Sequence, residues 1–366
     1  MKILFVASVY RHLVSFHIPY MQYFQKRGYK VYAIGIGEDK EKLESLGIQC
    51  IDVCFSRNPF SLDNYKAYKQ LQQIFSKYSF ELVHVHTPIA AFLTRLVYRQ
   101  KKAGSIAYTA HGFHFFKGAS IVNWLLYYPL EKVAARWTDQ LIVMNDEDYE
   151  NAKKLIASDK IAYVHGVGVE FSNQQINRNT VRESLGLTED ALIISYIAEL
   201  NKNKNHLYLL KNWQAIKEKC PKAVLLIIGT GTLEQQLRKY IREHQLKDIR
   251  FLGYRSDVEQ LLQISQISVL LSYREGLPKS TMESMYTGVP CIVSNTRGLR
   301  DLVIDGENGF VIPLDDDTRL ITVFTQLLQS EELRSIMGEK ARMLVEPYKL
   351  KHVLPEYAEI YEKLLK

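Results

Sequence analysis

"ISVLLSYREGLPKSTMESMYTGVPCIVSN", residues 267–295, runs through a strand, a loop, a helix and a second strand in succession. ISVLLS and PCIVSN are short apolar runs bounded by turn residues, the pattern of buried strands. Between them KSTMESMYTG reads as a helix, with Pro278 suited to its first turn and Gly288 as its C-terminal stop. Strand, helix and strand in that order form a βαβ unit, which builds a parallel sheet. The loop YREGLPKS then lies at the carboxyl end of a strand, where ligands bind in open sheets of this kind. It carries Glu275, and the helix after it carries Glu283.

The same alternation extends in both directions. In the first half KILFVAS, KVYAIGIG, LVHVHT, SIAYTAHG and QLIVMN read as strands, separated by helical patterns such as FHIPYMQYFQKRG, AAFLTRLVYRQKKAG and NWLLYYPLEKVAARWTD. The second half repeats the theme with LIISYIAE, AVLLIIG, IRFLG and GFVIPL. HGVGVEFSNQQINRNT, rich in Gly and Asn and without periodicity, reads as the linker. The final segment LPEYAEIYEKLLK reads as a helix after Pro355. The expected fold class is α/β, with two Rossmann-like, doubly wound domains facing a cleft.

Composition fits this reading. The 366 residues are 47% hydrophobic and 24% charged, ordinary globular material for two domains. No apolar run approaches the roughly 18–20 residues that span a bilayer, and MKILFVASVY reads as a buried strand rather than a signal peptide. Cys50, Cys54, Cys220 and Cys291 form no disulfide framework. Cys50 and Cys54 are expected on one face of a strand, and all four as reduced thiols, which suits cytosol. The net charge of +7 sits mostly in residues 1–170, where 21 Lys and Arg stand against 15 Asp and Glu, or +6. Such a half points to an anionic membrane, a nucleic acid or a phosphorylated acceptor, or to nothing more than a solvated face. RNA- and DNA-binding signatures are absent, so no nucleic-acid partner is expected.

Several α/β machines are excluded. The first strand is followed by VASVYRHLVSFH, with no G-x-G-x-x-G, and no G-x-x-x-x-G-K-[ST] loop occurs. No His/Cys set at metal-ligand spacing is found, so no metal and no cofactor are expected. The 278–287 helix offers a different tool. Backbone N–H groups around Lys279, Ser280 and Thr281 are helix-start donors suited to a phosphate. Glu275 would face whatever that phosphate carries, and Glu283 would reach a polyol such as ribose. A capping arrangement between Ser280 and Glu283 is the alternative. IGTGTLEQQL, with Gly229, is a second Gly-bearing turn from strand to helix.

EGLPKSTME (275–283) resembles the E-x7-E motif of the family 4 retaining glycosyltransferases, which have the GT-B fold. LVHVHTP (82–88), TAHGFHF (109–115), YVHGVGVE (163–170), ELNKNKN (199–205), FLGYRSDVEQLL (251–262) and NTRGLRDLVIDGENGFVIP (295–313) are similar to its other landmarks, in order along nearly the whole chain. They look most like the bacterial capsule and exopolysaccharide branch. The resemblance implies an acceptor-binding domain over 1–168, joined by the C-terminal helix (353–366), and a nucleotide-sugar-binding domain over 169–352. It assigns catalysis to Glu275, His111 and Lys204, and for His111 a core or capping role is the alternative. Donor contacts fall to Glu283, Gly276, Leu277, Pro278, Lys279, Ser280, Thr281, Lys202, Gly229, Tyr254 and Arg255. His17, His86 and His114 are placed on the acceptor side, with His84 and His86 shaping the cleft floor. One departure stands out: Glu199 replaces the family arginine that grips the diphosphate, leaving Lys202 or Lys279 to substitute.

The implied activity is retaining transfer from a nucleotide-sugar, taken as a UDP-sugar, to a saccharide or lipid-linked saccharide acceptor. A polyprenyl diphosphate is the expected carrier in cell-surface polysaccharide synthesis. A sugar-nucleotide epimerase of the same architecture is the rival. The place of work is cytoplasmic, peripherally on the anionic inner face of the membrane. Arg95, Arg99, Lys101 and Lys102, with Phe115, Phe116, Trp124, Tyr127 and Tyr128 around Lys117, are the expected membrane contacts, with a core role for the aromatics as the alternative.

Overall fold

The computed structural model describes residues 1–56, 58–101, 104–171 and 176–366. They divide into two compact units, Met1–Gly168 with Leu350–Lys366, and Val169–Lys349. The first unit holds β1 (Lys2–Val6), β2 (Lys30–Gly35), β3 (Gln49–Asp52), β4 (Leu82–Val85), β5 (Ser105–Thr109), β6 (Gln140–Val143) and β7 (Ile161–Tyr163). The second holds β8 (Leu192–Ile197), β9 (Ala223–Ile228), β10 (Ile249–Gly253), β11 (Ile267–Leu270), β12 (Cys291–Ser294) and β13 (Gly309–Ile312). The sheet orders are β3-β2-β1-β4-β5-β6-β7 and β10-β9-β8-β11-β12-β13, with every pairing between these strands parallel. Each order reverses once, between β1 and β4 and between β8 and β11. Those reversals open a crevice at the strands' carboxyl ends.

The residues explain the layers. Ile3–Val6 and Ala223–Ile228 are buried throughout, as strands covered by helices on both faces must be. Helix starts are fixed by side-chain oxygens of Ser61, Ser120, Asn145, Asp316 and Ser330, each accepting from a first-turn N–H.

The C-terminal helix Leu350–Leu364 belongs to the first unit. It begins ahead of Pro355, which lies inside it instead of at its start. Val353, Tyr357 and Tyr361 recur at helical spacing and are fully buried. Tyr361 Oη lies 2.9 Å from His84 Nδ1, Tyr357 packs on Tyr20 at 4.4 Å between ring centroids, and Ser105 Oγ donates to Leu364 O at 2.8 Å.

Other expectations are corrected. Cys54 lies beyond the end of β3 and is exposed, so it shares no strand face with Cys50. Arg95 is not a surface cation. It is buried against Glu131 at 2.9 Å, stacks over Tyr108 at 4.1 Å, and Tyr108 Oη donates to the other Glu131 oxygen at 2.9 Å. Phe115 is likewise core, with Trp124, Tyr127 and Tyr128 packed against it or its neighbours. Lys102 and the side chain of Lys101 lie outside the described residues. No described helix is long and apolar enough to cross a membrane.

Candidate active site

In the Val169–Lys349 unit the loops after β8 and β11, the strands flanking the reversal, are tied together. Tyr273 N donates to Asn203 O at 2.9 Å, and Asn203 Nδ2 donates to Arg274 O at 2.8 Å. The buried Tyr196 hydroxyl accepts from Leu271 N at 3.0 Å and donates to Lys204 O. The result is a 2.6 Å ion pair between Lys204 Nζ and Glu275 Oε1, with Glu275 only 8% exposed. Arg297, also buried, donates to Glu275 O at 3.2 Å. Sequence reading gives Tyr196, Asn203 and Arg297 no role, although Asn203 and Arg297 lie inside ELNKNKN and NTRGLRDLVIDGENGFVIP, because their work is to hold loops.

Glycines make the close approaches possible. A Cβ on Gly229 would sit 2.1 Å from Ala198 O, and one on Gly298 would sit 1.9 Å from Gly276 O, both at positive φ. Gly298→Ala is therefore expected to push the Gly276 loop outward and to destabilise the unit by more than ~1 kcal/mol. Thermal unfolding in parallel with nucleotide calorimetry checks this, since both stability and binding should fall.

The helix Lys279–Thr287 begins at Pro278, whose extended backbone is the N-cap. Ser280 is thus inside the helix and its carbonyl accepts from Ser284 Oγ at 2.8 Å, so no Ser280–Glu283 capping box forms. First-turn N–H groups of a helix lie outside its own ladder, which leaves Ser280 and Thr281 N–H pointing along the axis from the start. Pro278 has no N–H and contributes the turn alone. Lys279 Nζ lies 3.6 Å from Glu283 Oε1. Burial raises the Glu283 carboxyl's pKa, and Lys279 opposes that shift. Glu199 and Lys202 are exposed on the turn leading to Lys204. Tyr254 is 69% exposed, and Arg255 is held bidentately by Asp257 at 2.7 and 2.5 Å.

In the first unit the carboxyl ends of β1, β4 and β5 carry histidines. Ser8 N and Oγ bind Thr87 Oγ1 at 3.0 and 2.9 Å, joining the loop after β1 to the one after β4. His12, His17, His86 and His111 each bring a ring nitrogen within 4.8 Å of the others. His111 Nε2 lies 3.2 Å from His12 Nε2 and 3.3 Å from His86 Nδ1. Burial lowers every one of these imidazoles, His12 to about 4, so all four are neutral at physiological pH. His84 is a core residue, bound to Tyr361 and Thr109. His114 stays outside the group, stacked on Tyr127 at 4.3 Å. A scan of ligand spacing sees no such set, because three distant segments supply it.

Two family models divide the chain: Glycosyl transferase 4-like over residues 2–145, and Glycosyl transferases group 1 over residues 177–343. The chain is 36% identical to EpsD of Bacillus subtilis, named a glycosyltransferase, over 98% of this chain and 96% of that one. It is 31% identical to the UDP-Gal:alpha-D-GlcNAc-diphosphoundecaprenol alpha-1,3-galactosyltransferase of Escherichia coli, covering 78% of this chain and 76% of the other. Its fold matches Anabaena HepE, solved with UDP and glucose, at a TM-score of 0.82 and 17% identity over both full chains. The protein is a glycosyltransferase of GT-B fold. It belongs to family 4, in the bacterial capsule and exopolysaccharide branch.

Proposed function

We propose that the enzyme moves a sugar from a UDP-sugar to a saccharide carried on a polyprenyl diphosphate, with retention of anomeric configuration. The observation that carries the donor side is the Lys204–Glu275 pair beside the start of the Lys279–Thr287 helix. A helix start binds phosphate through N–H groups and dipole. In this reading the amides of Gly276, Leu277, Ser280 and Thr281 hold the diphosphate, and Lys204 neutralises the charge that grows as the glycosidic bond breaks. No metal is needed at the diphosphate. Glu275 binds the sugar hydroxyls and stabilises the anomeric centre. Lys202, exposed on the same turn as Lys204, takes the place of the arginine lost at Glu199, because Lys279 leans toward Glu283. Gly229 lets the loop after β9 close on the donor turn. Tyr254 remains a candidate for the base, whereas Arg255 supports the loop through Asp257.

Glu283 holds the ribose hydroxyls. Glu283→Ala is expected to weaken UDP binding by roughly 1–3 kcal/mol, the worth of a charge-assisted hydrogen bond. Isothermal calorimetry with UDP measures it. A thermal-shift panel of UDP-, GDP- and ADP-sugars tests donor class: stabilisation by UDP-sugars is expected, and stabilisation by a GDP-sugar alone overturns the reading.

The carrier assignment leans on the diphosphoundecaprenol substrate in the name of the Escherichia coli relative, and on the surface of the first unit. An apolar groove of about 200 Å³ there is lined by Phe60, Ile89, Phe92, Leu93, Leu126 and Leu130. Leu62, Ile121, Val122 and Leu125, close in sequence to its lining residues, are exposed, and so are Lys117 and Arg99. Apolar side chains with flanking cations suit peripheral attachment at the cytoplasmic face. Vesicle flotation should show binding to anionic lipids that salt reverses, and Ile121→Asp with Leu125→Asp should abolish it. Equal flotation with neutral lipids would remove this part of the proposal.

A further inference from the structure

His17 is fully buried, and neither of its ring nitrogens has a hydrogen-bond partner; His86 is equally buried, and its Nε2 has none. Unpartnered polar atoms at this depth call for an occupant, either water or an ion. Burial alone does not strand a histidine in this fold. His84, on the same strand as β4's carboxyl end, has both nitrogens satisfied, by Tyr361 Oη at 2.9 Å and Thr109 Oγ1 at 2.7 Å. His206 of the other unit is also unpartnered, but it joins no ligand group among the described residues.

Geometry narrows the occupant. A tetrahedral ion with metal–nitrogen bonds of about 2.0–2.1 Å has ligand nitrogens about 3.3–3.4 Å apart. His12 Nε2–His111 Nε2 measures 3.2 Å, and each of the four imidazoles brings one ring nitrogen within 4.8 Å of the others. Hydrogen bonding serves this arrangement badly. A neutral ring nitrogen has one proton or one lone pair in the ring plane, yet His111 Nε2 faces two other nitrogens. A cation at the common focus satisfies them together. Imidazoles without carboxylates select borderline transition metals and disfavour Mg²⁺ and Ca²⁺.

We propose that His12, His17, His86 and His111 form a binding site for one zinc-class divalent ion. Four protein ligands make a closed, structural site. The ion would pin the segment after β1 and the loops after β4 and β5 at the sheet's reversal point. His111 would then serve as a ligand that fixes this surface. The inference does not rest on the donor chemistry, since every ligand belongs to the first unit and every proposed diphosphate contact to the second.

The test uses the full chain, purified without chelator and with any polyhistidine tag removed. Elemental analysis should find about one zinc per chain, and chelation should lower the melting temperature, with Zn²⁺ restoring it, because metal binding is folding free energy. Titration of the metal-free protein with Co²⁺ should produce the intense visible bands of a tetrahedral complex. His17→Ala and His86→Ala should each lose the metal and those bands, whereas His114→Ala should keep both. Should the buried variants fail to fold, His12→Ala and the wild-type Co²⁺ titration still decide. A metal content well below one, with neither Co²⁺ bands nor a melting shift on adding Zn²⁺, overturns the proposal. UDP calorimetry on the same samples reads the donor site separately, so failure there is failure of the transfer reading alone.

Discussion

Glu275→Gln is expected to lower turnover by roughly two to three orders of magnitude, the usual effect of deleting one preorganised electrostatic contact to a transition state. Glutamine keeps the size of the side chain and its reach toward sugar hydroxyls. It removes the charge that faces the anomeric centre in the proposed mechanism. It also removes the partner of Lys204, which lies 2.6 Å away and is 21% exposed. The freed lysine still has the leaving diphosphate to bind, so UDP affinity should change little. The kinetic signature is a fall in kcat with KM nearly unchanged, the mark of an interaction made in the transition state. Activity within about threefold of wild type would fall far short of that electrostatic contribution and would move Glu275 out of the reaction.

The largest stability effect should come from a residue far from any sugar. Glu131→Ala leaves the Arg95 guanidinium, 1% exposed, without its carboxylate and strands the Tyr108 hydroxyl. Breaking one side of a buried pair is worth roughly 3–5 kcal/mol. For a unit of this size that corresponds to a melting shift of about 10 °C. Arg95→Met with Glu131→Leu removes both charges and fills similar volume, so it should recover most of the loss. Calorimetric unfolding of the single and double variants measures both. A single variant as stable as wild type would mean that the pair is solvated in solution.

How far the sequence alone carries the account depends on whether the signal is local. Parallel strands such as Lys2–Val6 and Ala223–Ile228 are legible because burial on both faces leaves uninterrupted apolar runs. The Glu275 loop is legible because its chemistry is compressed into one strand-to-helix turn. Ile161–Tyr163 is too short to register as a strand, and its place is settled by pairing with β6. Pro355 imitates a helix start. The Val353, Tyr357 and Tyr361 stripe shows instead that the helix is already under way. Arg95 reads as surface charge until Glu131, far along the chain, folds against it. The four histidines are invisible as a set for the same reason: only the reversal of strand order between β1 and β4 brings residues 12 and 17 beside 86 and 111.

Transfer itself gives the most direct test. The enzyme is incubated with UDP-sugars labelled in the sugar and with a saccharide on a polyprenyl diphosphate, and the lipid phase is counted. Label should pass to the lipid with equimolar release of UDP, and NMR of the product should show the donor's anomeric configuration. Label confined to the aqueous phase, with the UDP-sugar converted to an isomer, would contradict the account.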